Sequence, residues 1–132
     1  MRKEAQTWFK QAGADLEASK DSLEKGHFEW SCFQSQQSAE KALKACLYHL
    51  GYTSLHGHSV KLLLKQCVRN SKTFSSLEDA ARTLDNYYIP TRYPNGLDEA
   101  VAPTDYYDEE DGKKCVGYAT SILTTAKKFL KP

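Results

Sequence analysis

Helical periodicity runs through most of this chain of 132 residues and constrains its fold more than any other feature. Apolar residues recur every third or fourth position over 4–24, 29–50, 59–69, 75–88 and 111–130. That spacing places them on one face of an α-helix, whereas a half-buried β-strand needs alternation at every second residue, which no segment shows. The pattern predicts an all-α, antiparallel helical bundle of about five helices, four main and one short, in a single domain over 1–132.

The ends of these segments carry helix start and stop signals. Gly26 and Gly51 follow the first two segments, as glycine commonly follows a helix C-terminus. Ser59 is placed to cap the short third helix. Ser75 and Glu78 have the spacing of a capping box, so we expect the fourth helix to begin there and to run to about residue 88.

A long segment before the last helix, Ile89–Thr104, lacks the helical period and contains three of the four prolines in the chain. Loops longer than about 12–15 residues in compact domains are usually functional or disordered. We expect the tyrosine-rich first half to be ordered against the bundle and the part from Leu97 onward to be looser. The long irregular loop is therefore the first place to look for function.

Composition excludes several classes of protein. The 18 Lys and Arg residues nearly balance the 17 Asp and Glu residues, which argues against bulk binding of nucleic acid. No apolar run approaches the roughly 18 residues of a membrane span, and the N-terminus lacks the apolar region of a secretory signal. The four cysteines form no C-x-x-C motif, so we expect reduced thiols and a cytoplasmic location.

The second predicted helix carries a possible cationic site. Lys41 and Lys44 are three positions apart and share one edge of that helix. Gln36 extends the apolar stripe, and burying a Gln without partners costs roughly 1–3 kcal/mol. The residue types alone favour an ordinary interpretation, in which a neighbouring helix bonds the Gln and solvent surrounds the two lysines.

The second possible site is the segment Tyr87–Asn95, where Arg92 lies in a proline-stiffened loop among tyrosines. A guanidinium binds phosphate or carboxylate through two parallel hydrogen bonds, and a stiff loop loses little entropy in doing so. The tyrosine rings can stack on a base or pack the loop onto the bundle. Two interpretations stay open: an anion-binding loop, or a hydrophobic clasp in which Arg92 pairs with a carboxylate.

Metal and catalytic motifs are absent from the sequence. His56 and His58 have no third ligand at zinc spacing, and the acidic run 105–111 lacks the spacing of a calcium loop. The chain contains no G-x-S-x-G, P-loop or H-E-x-x-H motif. We therefore predict no metal site, no required cofactor and no catalytic residues.

The chain resembles the HEPN domain family, named for higher eukaryotes and prokaryotes nucleotide-binding. The resemblance covers residues from about 5 to 130 and rests on motifs in a characteristic order rather than on any single one. The matching features are a first helix with Trp8, Ala12, Asp15 and Leu16, the motif Gln36-Gln37-x-x-Glu40-Lys41-x-Leu43-Lys44-Ala45, His58 followed by Leu62 and Leu63, and Tyr88-x-x-x-Arg92-Tyr93-Pro94.

The resemblance implies a homodimer with a polar cavity, at or near the dimer interface, that accepts a nucleotide triphosphate such as GTP or ATP. On that basis the two lysines would face the phosphates, the arginine would clamp one of them, and a tyrosine would border the base or sugar. The nucleotide-binding residues predicted in this way are Lys41, Lys44, Tyr88, Arg92, Tyr93 and Asn95.

The chain departs from the family in one respect. Many HEPN proteins are ribonucleases in which an arginine is followed, after four to six residues, by a histidine, and no histidine falls in the windows after Arg69, Arg82 or Arg92. General acid–base chemistry of that type then lacks its proton carrier. The resemblance, together with this departure, implies a non-catalytic nucleotide-binding and dimerisation module of a large chaperone-related protein. The alternatives are a dimerisation or protein-interaction domain without a ligand and, with the least support, a ribonuclease.

Overall fold

The computed structural model describes residues 1–98 and 100–131, and within those ranges the chain is helical without a β-strand. The predicted all-α bundle is confirmed. Glu99, inside the predicted irregular segment, and Pro132, at the end of the predicted domain, lie outside the described residues. The α-helices are α1 (Lys3–Glu24), α2 (Phe28–His49), α3 (Val60–Asn70), α4 (Glu78–Asp85), α5 (Pro103–Tyr106) and α6 (Glu109–Leu130).

Helix α2 is the central element, since it packs against α1, α3, α4 and α6. The bundle core contains aliphatic residues from all of these helices together with Phe74, which is fully buried. Seven polar or charged side chains of α2 are buried as well in the described structure: Glu29, Ser31, Ser35, Gln36, Ser38, Glu40 and Lys44. Buried Gln, Glu and Lys side chains are unusual in a small bundle, so Gln36, Glu40 and Lys44 are the residues from which a candidate site can be built.

The start of α3 is tied to the end of α4. The Asp85 carboxylate accepts hydrogen bonds from the backbone N–H groups of Val60, at 2.7 Å, and Lys61, at 3.1 Å. It also accepts one from Ser59 Oγ at 2.8 Å, and that hydroxyl in turn accepts the Leu62 N–H at 3.1 Å, so the predicted serine cap is confirmed. These bonds hold the loop before α3 beside the segment that follows α4.

The predicted capping box at Ser75 and Glu78 is wrong. Ser75 Oγ donates to the carbonyl oxygen of Lys72, and residues Lys72–Leu77 form a 3₁₀ helix rather than the lead-in to an α-helix. A serine that bonds backward to its own turn cannot cap the helix ahead of it. Helix α4 begins at Glu78 without a side-chain cap and ends at Asp85, short of the predicted end at about residue 88.

A capping box does form at the start of α6. The Asp111 N–H donates to Asp108 Oδ1 at 3.0 Å, and the Asp108 N–H donates to Asp111 Oδ2 at 3.1 Å. Asp111 also accepts the Tyr87 hydroxyl at 2.9 Å, which joins this cap to the end of α4. The acidic run before α6 therefore has a structural role in starting the helix.

The segment after α4 is compact in its first half, as predicted. Thr91 is buried and its hydroxyl donates to the Tyr87 carbonyl oxygen at 2.6 Å. Residues Pro94–Gly96 form a second 3₁₀ helix that folds back on the loop, and a Cβ at Gly96 would lie 2.8 Å from Pro90 Cα. The absence of a side chain at Gly96 permits this close approach.

All four cysteines are free and buried in the described structure: Cys32, Cys46, Cys67 and Cys115. Burial raises the pKa of Cys67 to about 12, and burial likewise raises the pKa of Cys46. A hydrogen bond with Cys115, together with burial, raises the pKa of Cys32. These three thiols stay protonated at neutral pH and fill the core as small apolar groups. Among the helices that the structure describes, none combines the length and apolar character required of a membrane span.

Candidate functional site

Gln36 is one of the buried polar residues of α2, and its side chain donates to a loop. Its Nε2 donates to the carbonyl oxygen of His58 at 2.8 Å, and its Oε1 accepts from Gln37 Nε2 at 2.9 Å. The ordinary interpretation expected a partner on a neighbouring helix, whereas the structure supplies the loop before α3. The side-chain amide thus fixes the backbone of that loop against α2.

Glu40 is a buried carboxylate of α2 that contacts both a lysine and a histidine. Its Oε2 accepts Lys44 Nζ at 3.0 Å and lies 3.3 Å from His58 Nδ1. The side chains of Glu40 and Lys44 are only 4% and 5% exposed, and the Lys44 ammonium lies 5.3 Å from the centroid of the Trp8 ring on α1. The expectation that solvent surrounds Lys44 is wrong, because the packing of α1 on α2 covers it.

Lys41 is neutralised by α1. Its Nζ lies 2.6 Å from Asp15 Oδ2, and both side chains are mostly buried. Within the described ranges, then, both lysines predicted to face phosphate already contact a carboxylate. Their part in ligand binding remains a prediction.

Arg92 is held in a different way. Its guanidinium carbon lies 4.4 Å from the ring centroid of Phe33, 4.6 Å from that of Tyr88 and 5.2 Å from that of Tyr93. Its Nε donates to the Tyr88 carbonyl oxygen at 2.9 Å. Neither Nη atom has a hydrogen-bond or carboxylate partner among residues 1–98 and 100–131. Ring faces and one backbone bond orient this cation and leave its forked donor edge available.

His58 completes the arrangement through its contact with Tyr88. Its ring stacks on Tyr88 with centroids 5.1 Å apart and an interplanar angle of 20°. The side chain is 57% exposed, and because Nδ1 faces Glu40, its Nε2 is directed away from that carboxylate. Phe33, His58, Tyr88, Arg92 and Tyr93 together are named here the Arg92 cluster.

The structure brings together three of the six predicted site residues, Tyr88, Arg92 and Tyr93, in the Arg92 cluster. Lys41 and Lys44 lie about two and three turns beyond Phe33 along α2, in their ion pairs, and Asn95 is exposed in the turn Pro94–Gly96. Sequence reasoning missed Phe33 and the role of His58 at this site. Phe33 lies one turn before Gln36 on the same helix, and His58 directly precedes the cap of α3. These two positions are the sequence features from which their place at the site could have been predicted.

The fold and the site define a small all-α domain with a buried ion pair on its central helix and an arginine–aromatic cluster beside it. The model of the family described as "HEPN domain" matches residues 5–129, and the chain belongs to the HEPN family.

Two curated proteins are similar over nearly the whole chain. The protein named "Putative toxin MJ1304" from Methanocaldococcus jannaschii is 30% identical over 98% of this chain and 90% of that protein. Human sacsin is 27% identical over 97% of this chain but only 3% of sacsin. The chain therefore corresponds to nearly all of the first relative and to one small part of the second.

Solved structures agree with the fold. TT1696 from Thermus thermophilus is 33% identical with a TM-score of 0.89, over 98% of this chain and 100% of that one. ST0689, described as an archaeal HEPN homologue, is 37% identical with a TM-score of 0.78, over 97% of this chain and 98% of that one. An HEPN domain protein from Thermotoga maritima is 31% identical with a TM-score of 0.73, over 94% and 97% of the two chains.

Proposed function

We propose that this domain binds a nucleotide triphosphate, GTP or ATP, at the Arg92 cluster without catalysing a reaction on it, and that two copies associate around that cluster. The observation that carries the proposal is the guanidinium of Arg92, framed by three rings and without a carboxylate partner in the described residues. A planar, weakly hydrated cation held in this way is suited to bidentate contact with a phosphate.

The neighbours of Arg92 supply the other contacts that a nucleotide needs. Tyr93 is 49% exposed and offers a ring face for a base. His58, whose exposed ring stacks on Tyr88, offers a ring nitrogen as a further hydrogen-bonding group. Lys44 acts indirectly in this proposal, because it forms an ion pair with Glu40, whose carboxylate also contacts His58. Lys41 would reach a phosphate only by leaving its ion pair with Asp15.

Self-association is proposed from the exposed apolar surface around Arg92. Trp30, Ile89 and Tyr93 are 45%, 47% and 49% exposed, and Trp30 packs edge-on against Phe33 with centroids 6.0 Å apart. Grouped exposed rings on a small domain commonly mark an interaction surface. Pairing two copies here would bring two guanidinium groups toward one polyanionic triphosphate.

That the domain serves a large chaperone-related protein in the cytoplasm remains a prediction. The match to 3% of sacsin supports only the idea that such a domain can be a small part of a long chain.

Isothermal titration calorimetry with ATP and with GTP tests the nucleotide proposal. We expect Arg92→Ala to weaken binding about tenfold or more, since a hydrogen-bonded charge is lost. Arg82→Ala is the matched control, because Arg82 is exposed and bonded to Asp79 at 2.6 Å on the outer face of α4. No heat from the unaltered domain, or equal weakening by both substitutions, would contradict the proposal.

Light scattering on the unaltered domain and on Trp30→Glu tests self-association separately. We expect a dimer that dissociates when a charge enters the exposed aromatic surface. Lys128→Glu is the control, because it places a glutamate at an exposed position near the C-terminal end of α6, away from the aromatic surface in sequence. A monomeric unaltered domain would contradict the proposed dimer. It would not affect the test of nucleotide binding by calorimetry.

Cleavage of RNA is a second candidate function, favoured by one observation. No arginine is followed by a histidine at the family spacing, yet both groups contact the Tyr88 ring, the His58 ring at 5.1 Å and the Arg92 guanidinium carbon at 4.6 Å from its centroid. His58 Nδ1 lies 3.3 Å from Glu40 Oε2, an arrangement that orients an imidazole for proton transfer beside an anion-binding arginine.

Incubation with single-stranded and hairpin RNA tests this alternative. Fragments that disappear with His58→Ala and persist with His56→Ala would support cleavage, since His56 is exposed two residues away. RNA that stays intact would leave the non-catalytic proposal in place. Fragments that persist in both variants would identify a contaminating nuclease and also exclude the His58 mechanism.

A further inference from the structure

A groove that shares no lining residue with the Arg92 cluster runs along α3. It has a volume of about 240 Å³ and lies between α3 and the start of α4. This is smaller than the roughly 300–1,000 Å³ of a small-molecule site, so the groove suits a single side chain better than a nucleotide. Its main lining residues are Lys61, Leu64, Lys65, Val68, Arg69 and Glu78.

The groove is bordered by three cations without counterions. Lys61, Lys65 and Arg69 occupy every fourth position of α3, so they share one face of the helix. None of the three side chains has an ion-pair partner in the part of the chain that the structure describes. Among the described residues, Glu78 is the one carboxylate that lines the groove, so positive charge is in excess in this lining.

The spacing of these cations matches an extended peptide. Positions four residues apart on a helix are about 6 Å apart along its axis. Side chains on the same side of an extended strand are about 6.6–6.8 Å apart. A segment with carboxylates at alternate positions can therefore reach two or three of the cations in succession.

The floor of the groove discriminates between polyanions. It is formed by Leu64, which is buried, and Val68, which is half-buried. None of the lining residues is aromatic, so nucleotide bases would find no stacking platform, whereas an aliphatic side chain would find a matching surface. Charge and floor together favour an acidic peptide over a single-stranded nucleic acid.

We propose that this groove binds a short acidic segment of another protein, an extended peptide with Asp or Glu at alternate positions beside one aliphatic side chain. Such a segment satisfies the cations at the rim and buries its aliphatic group against Leu64 and Val68. The interaction is electrostatic at its edge and apolar at its centre, the usual anatomy of a small interface. The proposal does not rest on nucleotide binding at the Arg92 cluster.

Fluorescence anisotropy with a labelled peptide, Glu-Asp-Leu-Glu-Glu-Leu-Asp-Glu, tests the proposal. We expect saturable binding that weakens with salt and that falls about tenfold or more in the double variant Lys65→Glu, Arg69→Glu. The matched control is Lys127→Glu, Lys128→Glu, which makes the same change in net charge on exposed residues of α6. The milder variant Lys65→Gln, Arg69→Gln, with circular dichroism on every variant, separates loss of binding from loss of fold.

Three outcomes would overturn the proposal. The first is equal weakening in the groove variant and the α6 control, which would indicate a nonspecific charge effect. The second is tighter groove-dependent binding of a labelled ten-nucleotide uridine RNA than of the peptide. The third is self-association of the domain that is lost in the groove variant, because the occupant would then be a second copy, whose exposed acidic residues lie around Asp105–Glu110.

Discussion

The lysines of α2 and Arg92 form two cationic regions, and they differ in what neutralises them. In the first, Lys44 bonds Glu40 at 3.0 Å and Lys41 bonds Asp15 at 2.6 Å. In the second, Arg92 contacts three rings and one backbone carbonyl but no described carboxylate. The lysines therefore stabilise the packing of helices, whereas the donor edge of Arg92, unpaired among the described residues, is the group that we propose as the ligand contact.

The difference follows from how each cation is hydrated. An ammonium is strongly hydrated, so burying Lys44 beneath Trp8 is tolerable only because Glu40 lies beside it. A guanidinium is weakly hydrated and planar, so ring faces can hold Arg92 without a counterion. Lys44 and Arg92 are both cations in the sequence, but the first is held by a carboxylate and the second by aromatic rings.

The largest expected effect is on the buried pair. Glu40→Ala leaves the Lys44 ammonium buried without a partner and also removes the bond to His58, so we expect the free energy of unfolding to fall by about 3–5 kcal/mol. Urea denaturation followed by circular dichroism measures the loss. Glu110→Ala, on an exposed carboxylate of α6, is the control and should change stability by less than about 0.5 kcal/mol. A loss at Glu40 below about 1 kcal/mol would show that solvent reaches Lys44.

The fold was predictable because its long helices carry sustained apolar periodicity. Ala119, Ile122, Leu123 and Ala126, which follow the apolar period of the segment 111–130, are all buried in α6. The 3₁₀ helix Lys72–Leu77 was not predictable, since serines close to a helix start can bond backward as readily as forward. The free-energy difference between the two hydrogen-bonding arrangements of such a serine is small, so the sequence motif alone does not predict which one forms.

The site was predictable only where its residues are neighbours in the chain. Tyr88, Arg92 and Tyr93 lie within one short loop, and their meeting was expected from the sequence. The Glu40–Lys44 spacing of four residues was visible as well, but the depth of the pair depends on Trp8 from another helix. Burial is a property of tertiary packing, so no pattern within α2 shows it.

The Lys41–Asp15 pair should contribute less than the buried pair. Asp15→Asn keeps the shape of the side chain but removes its charge, and the partly exposed Lys41 can then turn to solvent. We expect a loss of about 1 kcal/mol in the free energy of unfolding, near the upper end for accessible pairs. Urea denaturation at low and high salt checks this, since added salt should shrink the difference between Asp15→Asn and the unaltered domain. A loss as large as that of Glu40→Ala would mean that both lysines are equally buried.

The smallest effect on stability is expected at Arg92, where the effect on ligand should be the clearest. Arg92→Lys keeps the charge but loses the planar contact with Phe33 and Tyr88, so we expect stability to fall by only about 0.5–1 kcal/mol. Affinity for ATP or GTP should nevertheless fall several-fold, because an ammonium cannot make the two parallel bonds of a guanidinium. Thermal unfolding and calorimetry on the same preparation measure the two quantities side by side. If Arg92→Lys instead destabilised the domain as strongly as Glu40→Ala, Arg92 would belong to the structural cations, and the contrast between the two regions would be lost.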